Sequence, residues 1–310
     1  MKQLQEQFIL TPITPQNFSA VYEMFEQNQR FYSFPKQSIK AAIFKDQGYR
    51  QDLAVAVFKK EDIAQADCIA AFVLVTRKGW VLGKRIYIKL CMVKKEARRK
   101  GIGEWVLNTL LTRAKEGLFR PTVHFGGSAP DYIFPGCDLR HTECLFFLKK
   151  MGFKTRRLRQ NLTVELEQFT DKPLDEKDGY TFMRVEPEDF EETVKFTGKH
   201  FVGTWNEEVR LSFRNKPATT FIVKNPEGVI VGFSTHSASY PGSYGPIGIL
   251  KSLRGKKLGG ILLEWCMFDL KQQGHSTACI NWVTGNTPKF YAKTLGAYIH
   301  PVFYPMSKRL

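Results

Sequence analysis

Histidine and paired cysteine, which most often signal metal or disulfide chemistry, are scarce in this chain of 310 residues. The six histidines are scattered without an HExxH pattern, and none of the six cysteines stands in a CxxC pair. Cys91, Cys266 and Cys279 lie inside apolar periodic segments, which favours buried free thiols over a disulfide framework. The sequence therefore predicts no metal centre and a reducing compartment.

Long apolar segments are also missing. No uninterrupted apolar run reaches the length that spans a bilayer. The segment Met1–Gln7 lacks the apolar core of a secretion signal. From these absences we expect a cytoplasmic protein without a membrane partner.

Acidic residues are in short supply, since 30 Asp and Glu stand against 46 Lys and Arg, for a formal net charge of +16. This balance indicates an anionic partner, and nucleotide phosphates, nucleic acid and acidic membrane all satisfy it. Surface lysine that only maintains solubility explains the excess equally well. The sequence shows neither a helix-turn-helix nor interleaved aromatic and basic residues, which disfavours nucleic acid.

What the chain does contain is an internal repeat. In each half a short strand leads into a helix, β-like runs follow, and a basic glycine-containing loop then opens an amphipathic helix. The β-like runs are 53–58, 68–76 and 86–93 in the first half, and 219–223, 229–236 and 247–250 in the second. The polar stretch 169–179, punctuated by proline and glycine, is typical of a linker. We therefore predict two α/β domains of ordinary size, residues 1–168 and 180–310.

The repeated loop is the main functional signal. The first copy is Arg98-Arg99-Lys100-Gly101-Ile102-Gly103, and the imperfect second copy is Arg254-Gly255-Lys256-Lys257-Leu258-Gly259. Glycines permit close approach, the helix start offers unpaired N–H groups and a positive dipole end, and basic residues add charge, so the loop can hold a pyrophosphate. No GxxxxGK[ST] is present, which excludes a P-loop. The loop also follows several strands, which disfavours a Rossmann dinucleotide site.

Arg98, Gly101 and Gly103 satisfy the pattern [RQ]xxGx[GA], which resembles the fingerprint of the GNAT acetyltransferase superfamily. In that family the fingerprint lies between the fourth strand and the third helix. The resemblance covers both halves, and Ser128–Gly136 is similar to a bacterial group of tandem GNAT proteins. It implies two tandem domains, each a mixed, mostly antiparallel twisted sheet flanked by helices.

The resemblance also implies that acetyl-CoA binds where the fourth and fifth strands part. The strand residues beside the thioester and pantetheine arm would be Cys91, Met92 and Val93, and those around the pyrophosphate Arg98, Arg99, Lys100, Gly101, Ile102, Gly103 and Glu104. The corresponding residues of the second half would be Ile247, Ile249, Arg254, Lys256, Lys257, Gly259 and Gly260. Lys257 replaces the first glycine of the pattern, so we expect the first loop to be the better coenzyme A site.

Acetyl transfer to an amine needs a base, donors for the developing oxyanion and an acid for the departing thiolate. Many GNAT proteins place a tyrosine acid on the last helix, and the resemblance assigns this role to Tyr291, which aligns with Phe147 in the first half. The candidate bases of the first half are Asp131, Asp138, His141 and Glu143. Each of these four is also explained as a solvated loop residue.

From the resemblance we expect an acetyl-CoA-dependent N-acetyltransferase. The amine, of a small molecule or a macromolecule, would attack the thioester directly. A non-catalytic acyl-CoA sensor is one alternative, and a transferase that uses aminoacyl-tRNA is another. Proteins of the last kind generally lack an intact coenzyme A loop, whereas Arg98–Gly103 is intact.

Overall fold

The computed structural model describes residues 2–62, 64–78, 84–116, 118, 120–128, 133–201 and 204–310. In this part of the chain the helices are α1 (Lys2–Gln7), α2 (Phe18–Asn28), α3 (Lys36–Phe44), α4 (Ile102–Lys115), α5 (Thr142–Lys150), α6 (Phe190–His200), α7 (Trp205–Ser212), α8 (Leu258–Gln272) and α9 (Thr287–Leu295). The strands are β1 (Phe8–Pro12), β2 (Ala54–Lys59), β3 (Ala70–Lys78), β4 (Lys84–Val93), β5 (Thr122–Phe125), β6 (Cys137–Asp138), β7 (Lys154–Thr155), β8 (Arg159–Glu165), β9 (Glu176–Lys177), β10 (Tyr180–Arg184), β11 (Thr220–Lys224), β12 (Ile230–His236), β13 (Ser243–Ile249), β14 (Thr277–Val283), β15 (Tyr298–Tyr304) and β16 (Met306–Arg309). The predicted α/β class is confirmed. Among the helices of these described ranges, none combines the length and the apolarity that crossing a bilayer requires.

The chain folds as two units. Unit 1 comprises Met1–Leu158 together with Phe303–Leu310, and unit 2 comprises Arg159–Val302. The boundary therefore lies ten residues before the predicted end at 168, and the predicted linker 169–179 lies inside unit 2. The reason is strand pairing: β8 pairs antiparallel with β14 in unit 2, and β16 pairs antiparallel with β5 in unit 1.

Unit 1 is built on a sheet with the strand order β1-β2-β3-β4-β5-β16-β7. Side chains alternate between the two faces of a strand. On β3, Phe72 and Leu74 join the core cluster beneath α4, whose stripe includes Val106 and Leu110. Val73 is also buried, on the face where α2 packs. Helices thus cover both faces of this sheet.

The decisive feature of unit 1 is the place where two parallel strands separate. β4 and β5 pair from Arg85 with Thr122 to Ile88 with Phe125, and β4 then continues alone on this side as far as Val93. The register of β4 against β3 shifts beside Lys89, which is the extra residue of a bulge. An opening with unpaired strand backbone on one wall follows directly from this divergence.

Unit 2 repeats the arrangement. Its sheet runs through β8, β14, β13, β12, β11, β10 and β9, with α8 packed over one core cluster and α6 and α7 over another. β13 and β14 are its parallel pair, and their described pairing ends at Tyr244 with Ile280. Tyr244 stands as far before the second basic loop as Ile88 stands before the first. The two sheets therefore part at equivalent positions.

Candidate functional site

A cavity of about 970 Å³ lies in unit 1 where β4 and β5 separate. This volume is at the upper end of the range for sites that hold small molecules and cofactors. Its walls include most of the predicted coenzyme A residues, namely Cys91, Met92, Val93, Arg98, Arg99, Gly101, Ile102, Gly103 and Glu104. Lys100, in the same loop, is exposed. The structure thus brings the predicted strand and loop residues to one cavity.

The backbone of the first loop turns sharply before the helix. Arg99 and Gly101 both adopt the left-handed conformation, with φ of 63° and 83°. The helix α4 begins at the next residue, Ile102. The first-turn N–H groups of a helix have no partner within it, and they carry the positive end of its dipole. This end of the cavity is therefore suited to an anionic ligand.

Arg98 holds the loop against two other elements. Its Nε donates to the carbonyl oxygen of Val93 at 3.0 Å, and its guanidinium donates to Glu143 at 2.9 Å. Burial favours the neutral acid, but a hydrogen bond with the backbone and the charges of Arg30 and Arg98 hold the pKa of Glu143 below its usual value. The fingerprint arginine therefore fixes the geometry of the loop and neutralises one of the candidate bases.

Gly103 lies where the start of α4 meets α5. A Cβ at this position would stand 3.4 Å from the ring of Phe147 and 3.5 Å from Val93. Phe147 lines the cavity at the position that aligns with Tyr291. Unit 1 therefore has a phenyl ring where the resemblance places an acidic phenol.

Asp138 is a buried carboxylate in the cavity wall with firm partners. Arg140 contacts it at 2.7 Å, and the Tyr32 hydroxyl donates to it at 2.5 Å. Although burial opposes ionisation, these hydrogen bonds lower the pKa of Asp138. Sequence analysis missed Tyr32, because it lies 106 residues from Asp138 and no local pattern connects them.

His141 lines the same cavity, next to α5. Its ring meets Phe31 edge-on at a centroid distance of 5.1 Å. Burial lowers the pKa of His141, which leaves the imidazole neutral near pH 7. Within the described ranges its Nε2 is enclosed and has no hydrogen-bond partner. Asp131, the remaining candidate base, lies outside the described residues.

Three thiols also line the cavity, those of Cys91, Cys137 and Cys144. Burial raises the pKa of Cys91, and a hydrogen bond with Cys137 together with burial raises the pKa of Cys144. Because the thiolate is the nucleophilic form of cysteine, these two groups are poor nucleophiles.

The second basic loop has the same backbone conformation as the first, but its glycine occupies the other of the two left-handed positions. Gly255 and Lys257 are left-handed, with φ of 89° and 64°, at the positions of Arg99 and Gly101. The lysine therefore does adopt the backbone angle that favours glycine. Arg254, Lys256 and Lys257 are exposed in this loop, and Gly259 and Gly260 lie in the first turn of α8.

The strand before the second loop is covered on one side by aromatic rings. The ring of Phe201 lies so close to Gly248 that a Cβ does not fit between them, and Trp205 stacks on this ring at 5.7 Å. Gly248 is the counterpart of Met92 and lies between Ile247 and Ile249, which are half-buried.

Tyr291 is 6% exposed within the core cluster of unit 2. Its ring meets that of Tyr244 edge-on at a centroid distance of 6.1 Å. Burial raises the pKa of Tyr291, so its hydroxyl holds its proton firmly. The structure thus places the predicted acid in the unit that lacks the intact fingerprint.

Comparison with known families identifies the type of domain. The profile of the acetyltransferase (GNAT) family matches residues 21–123, a stretch that includes the first loop and most of the cavity strands. No curated protein matches the sequence.

Solved structures resemble the chain over nearly its full length. A GCN5-related N-acetyltransferase from Sphaerobacter thermophilus shares 16% identity over 97% of this chain and 95% of its own, with a TM-score of 0.67. A tandem GNAT protein from the clavulanic acid biosynthesis pathway shares 13% identity over 98% of both chains, with a TM-score of 0.68. The glucosamine N-acetyltransferase region of a fungal multi-domain β-N-acetylglucosaminidase shares 15% identity with a TM-score of 0.75. The chain spans 38% of the length of that fungal protein. At such identities the likeness establishes the fold.

Proposed function

We propose that unit 1 transfers an acetyl group from acetyl-CoA to a primary amine, on the premise that residues 21–123 match the acetyltransferase (GNAT) family. Members of this family are acyl- and acetyltransferases. One observation carries the proposal: the intact fingerprint loop and the unpaired edge of β4 line the same cavity.

The proposal assigns each of two chemically distinct parts of coenzyme A to its own wall of the cavity. In the proposal the pyrophosphate accepts hydrogen bonds from the N–H groups at the start of α4, with Arg99 and Lys100 adding positive charge. The pantetheine arm lies along Cys91–Val93, where β4 has no neighbouring strand on the side of β5. Backbone groups of this edge bind its amides in the way that an additional strand would.

The surrounding residues favour direct transfer over an acyl-enzyme. The amine nitrogen attacks the thioester carbonyl, the C–N bond forms, the C–S bond breaks, and the sulfur leaves with the electron pair. A strand N–H at the opening stabilises the oxyanion. The raised pKa values of Cys91 and Cys144 argue against prior transfer of the acetyl group to cysteine.

A non-catalytic acyl-CoA sensor is the second candidate function. Phe147 favours it, because unit 1 has a phenyl ring at the position where the resemblance places a phenol that protonates the leaving thiolate. Coenzyme A binding in unit 2, and with it an acid role for Tyr291, stays a prediction. It is weakened by the contact of Phe201 with Gly248, on the strand that coenzyme A would follow.

Two matched glycines test where coenzyme A binds. Gly103→Asp places a carboxylate in the first turn of α4, and Gly259→Asp places one in the first turn of α8. The helix dipole stabilises a negative charge at either position. Each new Cβ has its nearest neighbour at 3.4–3.5 Å, so the fold tolerates both. A carboxylate about 5 Å from a pyrophosphate costs about 3 kcal/mol at an effective dielectric constant of about 20.

We expect Gly103→Asp to weaken coenzyme A binding at least tenfold in calorimetry, and Gly259→Asp to leave it within twofold. The reverse result would move the site to unit 2. An assay of thiol release from acetyl-CoA with a panel of primary amines then distinguishes an acetyltransferase from a non-catalytic sensor. A wild-type protein that binds coenzyme A and acetylates none of the amines would support the sensor.

A further inference from the structure

One side of α5, with the residue that precedes it, lines the cavity. His141, Cys144 and Phe147 stand three residues apart, a spacing that places side chains on one side of a helix. Phe147 lies beside Gly103, and Cys144 contacts Cys137. The N–H of His141 bonds to the carbonyl oxygen of Asp138 at 3.0 Å. His141 therefore stands beside Asp138 in the cavity wall.

The carboxylates of this region are committed to other partners. Asp138 is bound by Arg140 and Tyr32, and Glu143 is bound by Arg98. The pKa of each carboxyl lies below its usual value. A weakly basic carboxylate that already neutralises an arginine is a poor acceptor for a proton from an amine.

His141 has the opposite character. Its Nε2 has no partner among the described residues, whereas buried polar atoms are nearly always paired. Burial is the largest influence and lowers its pKa; Asp138 and Glu143 raise the pKa, while Arg140 and Arg30 lower it. In the tautomer of the uncharged ring that carries its proton on Nδ1, Nε2 can accept one proton.

Resting on the proposed acetyl transfer in unit 1, we propose that His141 is the general base that deprotonates the acceptor amine. Nε2 takes one proton from the acceptor ammonium, which leaves a lone pair to attack the thioester carbonyl. As the C–N bond forms and the C–S bond breaks, the nitrogen loses a second proton, which neutralises the thiolate. The imidazolium returns its proton to water. One acetyl-CoA and one ammonium give one amide, one thiol and one proton.

His124 supplies a matched control. It is also a histidine in unit 1 whose Nε2 has no partner in the part of the chain that the structure describes, and burial lowers its pKa to about 4. Its ring stacks on Tyr87 at 5.1 Å, and it is not among the residues that line the cavity. A structural role for a buried histidine would therefore appear equally in both variants.

The test compares His141→Gln, His141→Ala and His124→Gln in the full chain. The assays are release of thiol from acetyl-CoA with the best amine of the panel and, without amine, hydrolysis by water. Since general bases contribute about 10²–10⁴-fold, we expect kcat/KM of His141→Gln to fall at least a hundredfold. Its affinity for coenzyme A should stay within twofold, and its rate should lose the acidic limb of the pH profile. Free imidazole should restore part of the activity of His141→Ala, and His124→Gln should keep the profile of the wild type.

Other results overturn the proposal. His141→Gln with a rate within threefold of the wild type and the same acidic limb would exclude His141 as the base. Loss of that limb in Asp131→Asn alone would assign the base to Asp131. A wild-type chain that binds no coenzyme A and releases no thiol would refute the proposed function itself, and the base with it.

Discussion

The two basic loops share a backbone path that requires two left-handed residues, and each loop places a glycine at only one of them. Arg99 and Gly101 take these positions in the first loop, Gly255 and Lys257 in the second. A residue with a Cβ in this conformation is strained by about 1–2 kcal/mol. A glycine at either of the two left-handed positions therefore removes the backbone strain at that position, and the two loops use different ones.

We predict that exchanging residues at these positions changes stability in opposite directions. Lys257→Gly removes left-handed strain, but glycine raises the entropy of the unfolded chain by about 0.5–1 kcal/mol. We expect a net gain of roughly 0.5 kcal/mol in the free energy of unfolding. Gly101→Ala should lose a similar amount.

Urea unfolding measures both changes. Gly259→Ala serves as the control, because Gly259 is helical and its Cβ would meet only Ile249 at 3.5 Å. Equal signs for Lys257→Gly and Gly101→Ala would contradict the explanation from backbone strain.

At the scale of elements, the sheet of unit 1 is completed by a strand from much later in the chain. β16 lies between β5 and β7, where Ser307 pairs with His124 on one side and Lys154 on the other. Met306 is 1% exposed in the core cluster of this unit. The wall of the cavity that contains Phe125 therefore depends on β16.

We predict that Ser307→Pro disrupts both unit 1 and its cavity. Proline removes a backbone donor from a central strand, at a cost of about 3 kcal/mol or more. Glu176→Pro is the control, because β9 is an edge strand, where proline is tolerated. Urea unfolding and coenzyme A titration should show a large loss for Ser307→Pro and less than about 1 kcal/mol for the control. Unchanged binding in Ser307→Pro would separate β16 from the site.

Local patterns predicted most elements, while pairing over long distances decided the rest. The apolar stripe of α4 and the runs of β3 and β4 follow from periodicity in the sequence. The unit boundary does not follow from periodicity, because the sequence pattern of a strand such as β8 does not indicate which of the two sheets it joins. The bases were undecided for a similar reason, since the partners of Asp138 and Glu143 include residues 106 and 45 positions away.

At the scale of the whole molecule, the duplicated units differ at the positions proposed for catalysis. Alignment of Phe146–Phe153 with Phe290–Ala297 places Gly285 opposite His141 and Thr287 opposite Glu143. Unit 2 thus lacks both the proposed base and the acid that anchors the fingerprint arginine. Its Phe201 also contacts the strand that precedes its loop. The repeat has kept its backbone while its chemistry has diverged.

We predict that coenzyme A protects only unit 1 from hydrogen exchange. At a concentration one hundred times the dissociation constant, the ligand stabilises the state that binds it by about 2.7 kcal/mol. Protection should appear in 88–93, 98–107 and 141–150, and 254–263 should exchange as in the free protein. Mass spectrometry of peptides resolves these segments. Equal protection of 254–263 would establish a second site.

The position of β16 has a consequence for synthesis of the chain. Residues 159–302 must be translated before Phe303–Leu310, which belongs to unit 1. At about 5–20 residues per second, this interval lasts roughly 7–29 s. During this interval the position of β16 between β5 and β7 is empty. The unpaired backbone groups of the neighbouring strands can then form hydrogen bonds with other chains. The cavity of unit 1 is therefore among the last parts of the molecule to mature, although its lining residues lie in the first half of the chain.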